Sequence, residues 1–423
     1  MGDRDGFFGI GIDLCSDYSQ VSYSNNGEEP VSVEFPGTGD IYCVPTVVSK
    51  TLGRDEWFAG YDAVNSSKLG EACLVEDILG KAADKNPVSI DEGMVMPIEL
   101  VVRYLGYLIS MAKTAGKSDK VGRVCVTFED FNISILNVVQ KALVMLGIDK
   151  DRIMLACHDE SYIYYAISQK EELWSGEVYL FEYGAKGLYV KNMYMANERG
   201  TRIVMIHTDD LSEELPYTLS ENSLSEDYLD KTLAHAAAGV LGRRNVSSVY
   251  LTGKYFGGDI NLPEFVKYLC DRGRVFAGQN MYCKGACYQA VNQGADGRYR
   301  DMMIACSERI TTGIEIRITD RGRDKMLRML KPGVNWFGAD CSYDFIVDGI
   351  KELEIFLSPV DTLEKQLVRV PLDDFPERPG KATRISVSFS FTSDSRCHMM
   401  IKDMGFGEFF ASSGRVINEE LLL

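Results

Sequence analysis

The chain has 423 residues, of which 45% are hydrophobic and 25% charged, with a formal net charge of −17. That length holds two or three domains with sizeable cores, and the negative balance argues against nucleic acid and anionic membrane surfaces, which attract basic stripes. Eleven scattered cysteines read as thiols of a reducing cytoplasm rather than a disulfide framework, and neither a spanning apolar run nor a signal-peptide start is present.

The first predicted element is Phe8 to Tyr23, FGIGIDLCSDYSQVSY. Phe8, Ile10, Ile12 and Leu14 alternate with Gly9, Gly11 and Asp13, the period of a strand. After a Cys15-Ser16-Asp17 turn the chain resumes as a second strand, so a hairpin carries a carboxylate at its mouth. Such a turn can aim amides at a phosphate, and Asp13 can orient a metal-bound water. Ile41 to Ser49 reads as a short buried strand around Pro45. Pro97 to Thr114 has apolar residues at helical spacing, with proline suited to the first turn. Arg123 to Phe128 is a buried strand, Ile133 to Gly147 an amphipathic helix ending at glycine, Ile153 to Cys157 a strand, and a helix runs from about Glu160 to Lys170. Cys157-His158-Asp159-Glu160 is the one cluster with metal-like chemistry. Adjacent residues do not converge easily on one ion, so no metal site is expected there.

Val178 to Met193 repeats the opening theme as VYLFEYG, a turn at Ala185-Lys186-Gly187, and LYVKNM, which suggests an internal duplication. A helical segment between roughly Thr218 and Gly242 precedes the strand Val246 to Thr252, which ends at Gly253-Lys254. A helix rich in small residues lies within Gly278 to Gln293, where Cys283 and Cys287 share a face as core residues. Beyond Asp296-Gly297 helical periodicity is mostly lost. Arg384 to Phe391 alternates strictly, with Ile385, Val387, Phe389 and Phe391 on one face, the mark of an antiparallel β unit with one wet face.

This order of hairpins, with Gly11-Ile12-Asp13-Leu14 opening the first and Leu180 to Tyr189 forming the second, resembles the actin-like ATPases. Within them it resembles the DnaK-type (seventy-kilodalton) heat-shock chaperones. Lys284 to Ala290 is similar to that family's Y-G-A-A-V-Q-A, and Asp301-Met302-Met303-Ile304 to its interdomain linker. Ile385 to Asp403 and Ala411-Ser412-Ser413-Gly414 are similar to the end of its substrate domain, and the chain stops where the helical lid would follow. The resemblance implies an α/β actin-like ATPase fold of two reduced ribonuclease-H-like lobes, 1–170 and 171–300, followed by an antiparallel β-sandwich over 301–423.

It also implies a nucleotide site at Gly11, Asp13, Cys15, Ser16, Asp17, Gly184, Ala185, Lys186, Gly187, Gly253 and Lys254, with Asp13, Glu182 and Asp159 as its vestigial acids. Several parts are altered. The phosphate turn has become Cys15-Ser16-Asp17, and an added charge 4 Å from a polyphosphate costs about 1 to 4 kcal/mol. The lysine that helps position water aligns with Glu76, and the second turn has become Gly184-Ala185-Lys186-Gly187. Lys254 replaces a glycine under the adenine. The stretch from Gly187 to Gly253 is too short for the subdomain that clamps the base, which implies an adenine side left open. ATP and Mg²⁺ are therefore expected only if this degenerate site still works, with Lys186 expected to pair internally with Asp13 or Glu182. The bulky Tyr162, Tyr164 and Tyr165 imply a wider crossing of the two hinge helices, and Phe128 stands in place of a relay proline. The expected function is a cytoplasmic, chaperone-like pseudo-ATPase that binds a protein or peptide partner, and neither nucleic acid nor membrane, through its β domain. The alternatives are a divergent active ATP hydrolase and an assembling actin-like scaffold.

Overall fold

A computed structural model describes residues 7–35, 41–198, 201–216, 226–257, 261–292, 299, 302–360, 362 and 364–423. The chain forms two compact units, residues 1–195 with 204–300, and residues 196–203 with 301–423.

The first unit opens with β1 (Phe8–Leu14), whose seven residues are all buried, and β2 (Tyr18–Asn25), which pairs with it antiparallel. A short β3 (Val31–Ser32) pairs with β2. The expected strand across 41–49 is interrupted into Val44–Pro45 and Val48–Thr51, because proline has no N–H for a continuous ladder. Helix α1 (Pro97–Gly116) starts on its proline and ends at Lys117 in the left-handed region. The strand β4 (Arg123–Phe128), helix α2 (Ile133–Met145), strand β5 (Ile153–Cys157) and helix α3 (His158–Ser168) follow. Asn132 caps α2 by accepting from the Ser134 amide. The sheet order is β5-β4-β1-β2-β3, with β5, β4 and β1 parallel.

The second half repeats this plan. It contains β6 (Glu177–Gly184), β7 (Gly187–Glu198), β8 (Thr201–Asp210), α4 (Glu226–Leu241), β9 (Val246–Thr252), α5 (Pro263–Cys270), β10 (Arg274–Ala277) and α6 (Met281–Asn292). The order β10-β9-β6-β7-β8, with β10, β9 and β6 parallel and β6–β7 an antiparallel hairpin, matches the first sheet position for position. Only residues 242–245 connect α4 to β9. The part of the predicted helical segment before Glu226, the stretch 218–225, lies outside the described residues, as do Asp296 and Gly297.

The two halves exchange helices. Tyr162 on α3 donates its hydroxyl to the Val178 carbonyl on β6 at 3.1 Å, and Tyr162 and Tyr165 both meet the Tyr250 ring of β9 edge-on. In return α6 lies on β1. A Cβ at Gly9 would come within 2.4 Å of Val291, and one at Gly11 within 2.2 Å of the Cys283 carbonyl and the Cys287 amide. Where α3 and α6 cross, a Cβ at Gly285 would lie 1.9 Å from the Ser161 carbonyl. The crossing is therefore close, not the wide one implied by the tyrosines. Ser161 and Gly285 are the residues at the contact, while Tyr162 turns away to fill the second sheet's core.

The second unit is antiparallel β. Its strands are β11 (Thr312–Asp320), β12 (Arg323–Leu330), β13 (Cys341–Val347), β14 (Glu352–Pro359), β15 (Gln366–Pro371), β16 (Thr383–Phe391), β17 (Arg396–Gly405) and β18 (Val416–Leu422). They form sheets ordered β12-β11-β14-β15 and β13-β16-β17-β18. Ile385, Val387, Phe389 and Phe391 are buried on one face of β16, as the alternation predicts. Asp403, fully buried, takes a bidentate pair of hydrogen bonds from Arg378 at 2.7 Å each and two more from Ser413, tying down the Ser412-Ser413 segment. Of the predicted linker, Met302, Met303 and Ile304 lie in the strand Met302–Ala305, and Asp301 is outside the described residues. Among the described residues no helix is long and apolar enough to cross a membrane.

Candidate functional site

In the first unit the carboxyl ends of β1 and β6 bring three acidic side chains to one place, together with two cations and a tyrosine. Asp13 sits next to the end of β1, and its Oδ1 lies 2.8 Å from His158 Nε2 at the start of α3. Asp159, the next residue, faces Lys191 Nζ at 2.9 Å, and Lys191 is also 3.4 Å from Glu182 of β6. Tyr282, at the start of α6, donates its hydroxyl to Glu182 at 2.8 Å. Its ring stacks on the His158 imidazole with centroids 3.8 Å apart and planes 12° from parallel. The Lys191 ammonium lies 5.6 Å from the same ring. The Cys15 thiol donates to Asp13 Oδ1 at 3.5 Å.

Burial makes these charges interdependent. It opposes the imidazolium of His158, but Asp13 and, more weakly, Glu182 outweigh it and raise the pKa above the ordinary histidine value. Burial pushes Glu182 up, yet Lys191, His158 and the Tyr282 hydroxyl hold its carboxyl below the usual range. Lys191 is held well above the ordinary lysine value by Glu182 and Asp159 despite the cost of burying it. Burial, then the nearby Asp13 and Glu129, push the Cys15 thiol up, so it is no ready nucleophile. With His158 protonated, three carboxylates face two cations.

The expected partner of the acids is wrong. Lys186 does not reach Asp13 or Glu182; it pairs at the surface with Glu129 at 2.9 Å and Asp130 at 3.3 Å. The reason is hairpin geometry. Gly184 pairs with Gly187, so Ala185 and Lys186 form a two-residue loop, both exposed to solvent. Lys191 does the neutralising instead. The register sets Glu182 opposite Tyr189, which leaves Lys191 diagonal to Glu182 on the same face. That register was deducible from a two-residue loop, and it is the signal that could have found Lys191.

The remaining predicted positions divide clearly. Gly11 faces α6 rather than the cleft, because only a residue without a Cβ admits the α6 backbone. Ser16 and Asp17 are exposed in the first turn. Gly187 has φ +102° and packs on Ser212. Gly253, at φ +100°, lies against the Tyr183 carbonyl, and its amide donates to Gln279. Lys254 opens the turn Lys254–Gly257. Tyr255 lies 4.7 Å from the Tyr183 ring, and Phe256 stacks on Phe265 at 5.9 Å. Both rings pack against the apolar core of the second sheet. Glu76 is exposed, and Phe128 is buried against Phe131. His158 and Tyr282 belong to the cluster although sequence reading gave neither a role in it.

Residues 29–307 match the model described as Family of unknown function (DUF5716) C-terminal, and residues 309–423 match that described as Domain of unknown function (DUF8552). The junction of the two matches falls close to the boundary between the compact units. No curated protein matches the chain. Because the first match spans well over half of its 423 residues, the chain belongs to the DUF5716 C-terminal family.

Proposed function

We propose that this chain is a chaperone-shaped, actin-like pseudo-ATPase of the cytoplasm, whose cleft holds an internal ion network in place of Mg–ATP and which binds a protein or peptide partner through its β unit. Two observations support the actin-like reading: the strand order repeats in the two sheets, and α3 and α6 are exchanged between the halves. The observation that carries the non-hydrolysing reading is Lys191, set 2.9 and 3.4 Å from the two carboxylates that a divalent ion would need. Mg²⁺ demands oxygen ligands in near-octahedral order, and here an ammonium competes for the same oxygens. Phosphoryl transfer is positioning plus charge stabilisation. The first turn is acidic, the loop after Gly184 has only two residues to cradle a phosphate, and its one cation, Lys186, is paired with Glu129 and Asp130.

On the partner side, β15 and β18 end their sheets, where an extended segment can add as a further strand. Arg317 on β11 pairs with Glu354 at 3.1 Å, which favours a partner with polar character over a generic apolar peptide. Melting the full chain with and without millimolar Mg–ATP tests the cleft. An unchanged Tm is expected, and a rise of several degrees overturns the reading, since any ligand of the native state stabilises by mass action.

A further inference from the structure

The first half of the cleft differs from the second in the donors it gathers. Asp13 Oδ1, Cys15 Sγ and His158 Nε2 all lie within 4.8 Å of one another. Two of their separations are 2.8 and 3.5 Å. Donor atoms around one tetrahedral zinc-class ion stand about 3.3 to 3.7 Å apart, given metal–ligand lengths of about 2.0 to 2.3 Å. Small shifts would bring this triangle onto such an ion. Sulfur and imidazole nitrogen are poor ligands for Mg²⁺ and good ones for Zn²⁺ or Co²⁺.

The ring is engaged through Nε2, the nitrogen that faces Asp13. His158 is 6% exposed, and its Nδ1 is buried without a hydrogen-bond partner in the protein. A core histidine ordinarily satisfies both nitrogens. Here the ring's only engaged nitrogen is Nε2, directed at Asp13, and the Tyr282 stack fixes the plane of the ring. Cys15 is half-buried, and the Ser16, Asp17 and Tyr18 that follow it are exposed.

We propose that Asp13, Cys15 and His158 form a binding site for a borderline divalent metal ion of the zinc class, with water as the fourth ligand. The ion takes the place of the proton shared by Asp13 and His158, which leaves to solvent. The Cys15 thiol proton leaves to solvent as well as the metal–sulfur bond forms, so two protons are released and no oxidant or reductant is involved. Lys191, paired with Glu182 and Asp159, keeps both carboxylates out of the coordination. This inference rests on the reading of the cleft as no longer a Mg–nucleotide site.

The test adds Co²⁺ to the chelator-treated full chain and follows absorbance. One equivalent is expected to give a thiolate-to-cobalt band in the near ultraviolet, with visible bands of a tetrahedral site, both erased by one equivalent of Zn²⁺. Cys15→Ser, close to isosteric, should abolish the near-ultraviolet band, and Cys270→Ser, at an exposed thiol, should leave it. His158→Ala should weaken binding roughly 10- to 100-fold or more. No band, or a band that survives Cys15→Ser, overturns the site and leaves a purely structural ion pair. Parallel melting with Mg–ATP separates the two ideas. A nucleotide shift overturns the reading of the cleft, whereas no shift and no cobalt band overturns the metal alone.

Discussion

The β1–β2 and β6–β7 hairpins have the same place in their sheets and handle their carboxylate differently. In the second, Glu182 is neutralised by Lys191 from the hairpin's own return strand, a fixed cation placed by local register. In the first, Asp13 depends on His158, which arrives through β5, two strands away in the sheet, and whose charge is exchangeable. The hairpins also use glycine differently: Gly11 meets the α6 backbone, whereas Gly187 of the second, at φ +102°, packs on Ser212 and a Cβ at Gly184 would meet nothing within 4 Å. The second carboxylate is therefore met by a cation of its own hairpin, with the Tyr282 hydroxyl of α6 added. The first is met only through tertiary assembly, and it is the one with a thiol and an imidazole beside it.

The largest effect that probes this contrast is at the glycines. Gly11→Ala should cost more than about 4 kcal/mol, because the new methyl would overlap α6 backbone atoms that cannot swing aside. Gly184→Ala should stay within about 0.5 kcal/mol. Urea unfolding of both variants checks the pair, and equal losses would show that the hairpins are not packed differently. Lys191→Met comes next. It strands Asp159 and Glu182 in a largely buried place and should cost about 3 kcal/mol. Adding Glu182→Gln should recover part of that loss in a double-mutant cycle. Wild-type stability in Lys191→Met would mean that the second half owes nothing to its fixed cation.

Much of this plan is legible in the sequence, because period-two and helical patterns and the glycine-bounded turns mark the two hairpins and most of the strands and helices that follow them, though not the strand Thr201–Asp210 or the helix Pro263–Cys270. What the sequence hides is direction. Gly11 reads as a strand residue of a nucleotide site, yet its partner is a helix some 270 residues later, a contact set by topology and not by local pattern. Lys186 reads as the neutralising cation because it stands in the turn. It points outward because a two-residue loop turns both its side chains to solvent. The tyrosines of α3 suggest a bulky crossing, while at the crossing itself Ser161 meets Gly285. His158 sits in a run whose members cannot converge with each other. Its ligand-like neighbours come from β1, which no local reading of that run shows.

Asp403 in the β unit supplies a reference for a carboxylate held by a permanent cation, as Glu182 is. Hydrogen bonds from Arg378, then those from Ser413 and Gly405, hold Asp403 well below the ordinary carboxylate range against the opposing effect of burial. The sign follows from the depressed native value. The contribution is complete above the unfolded pKa of about 4, and it is lost as pH falls from there through the lower native value. Chain stability should fall by about 2 kcal/mol over that acid range through this group. Asp403→Asn should remove that part of the slope, measured by urea midpoints from pH 7 downward. An unchanged slope would show that the Arg378 pair does not govern the acid response of the β unit, and the likeness to Glu182 would fail.

The smallest effect belongs to the cation that the sequence favoured. Lys186 is half exposed and meets Glu129 and Asp130, themselves half exposed or more. Ion pairs in that setting contribute between nothing and about 1 kcal/mol, and salt screens them. Lys186→Ala should therefore change stability by less than about 0.5 kcal/mol at physiological salt, with the difference shrinking further as salt is raised. Lys191→Met should keep most of its loss under the same salt, because a buried pair is screened much less. If instead the salt series collapses the Lys191 effect and leaves Lys186 decisive, neutralisation takes place at the turn after all, and the hairpin register offered for Lys191 is the wrong physical account.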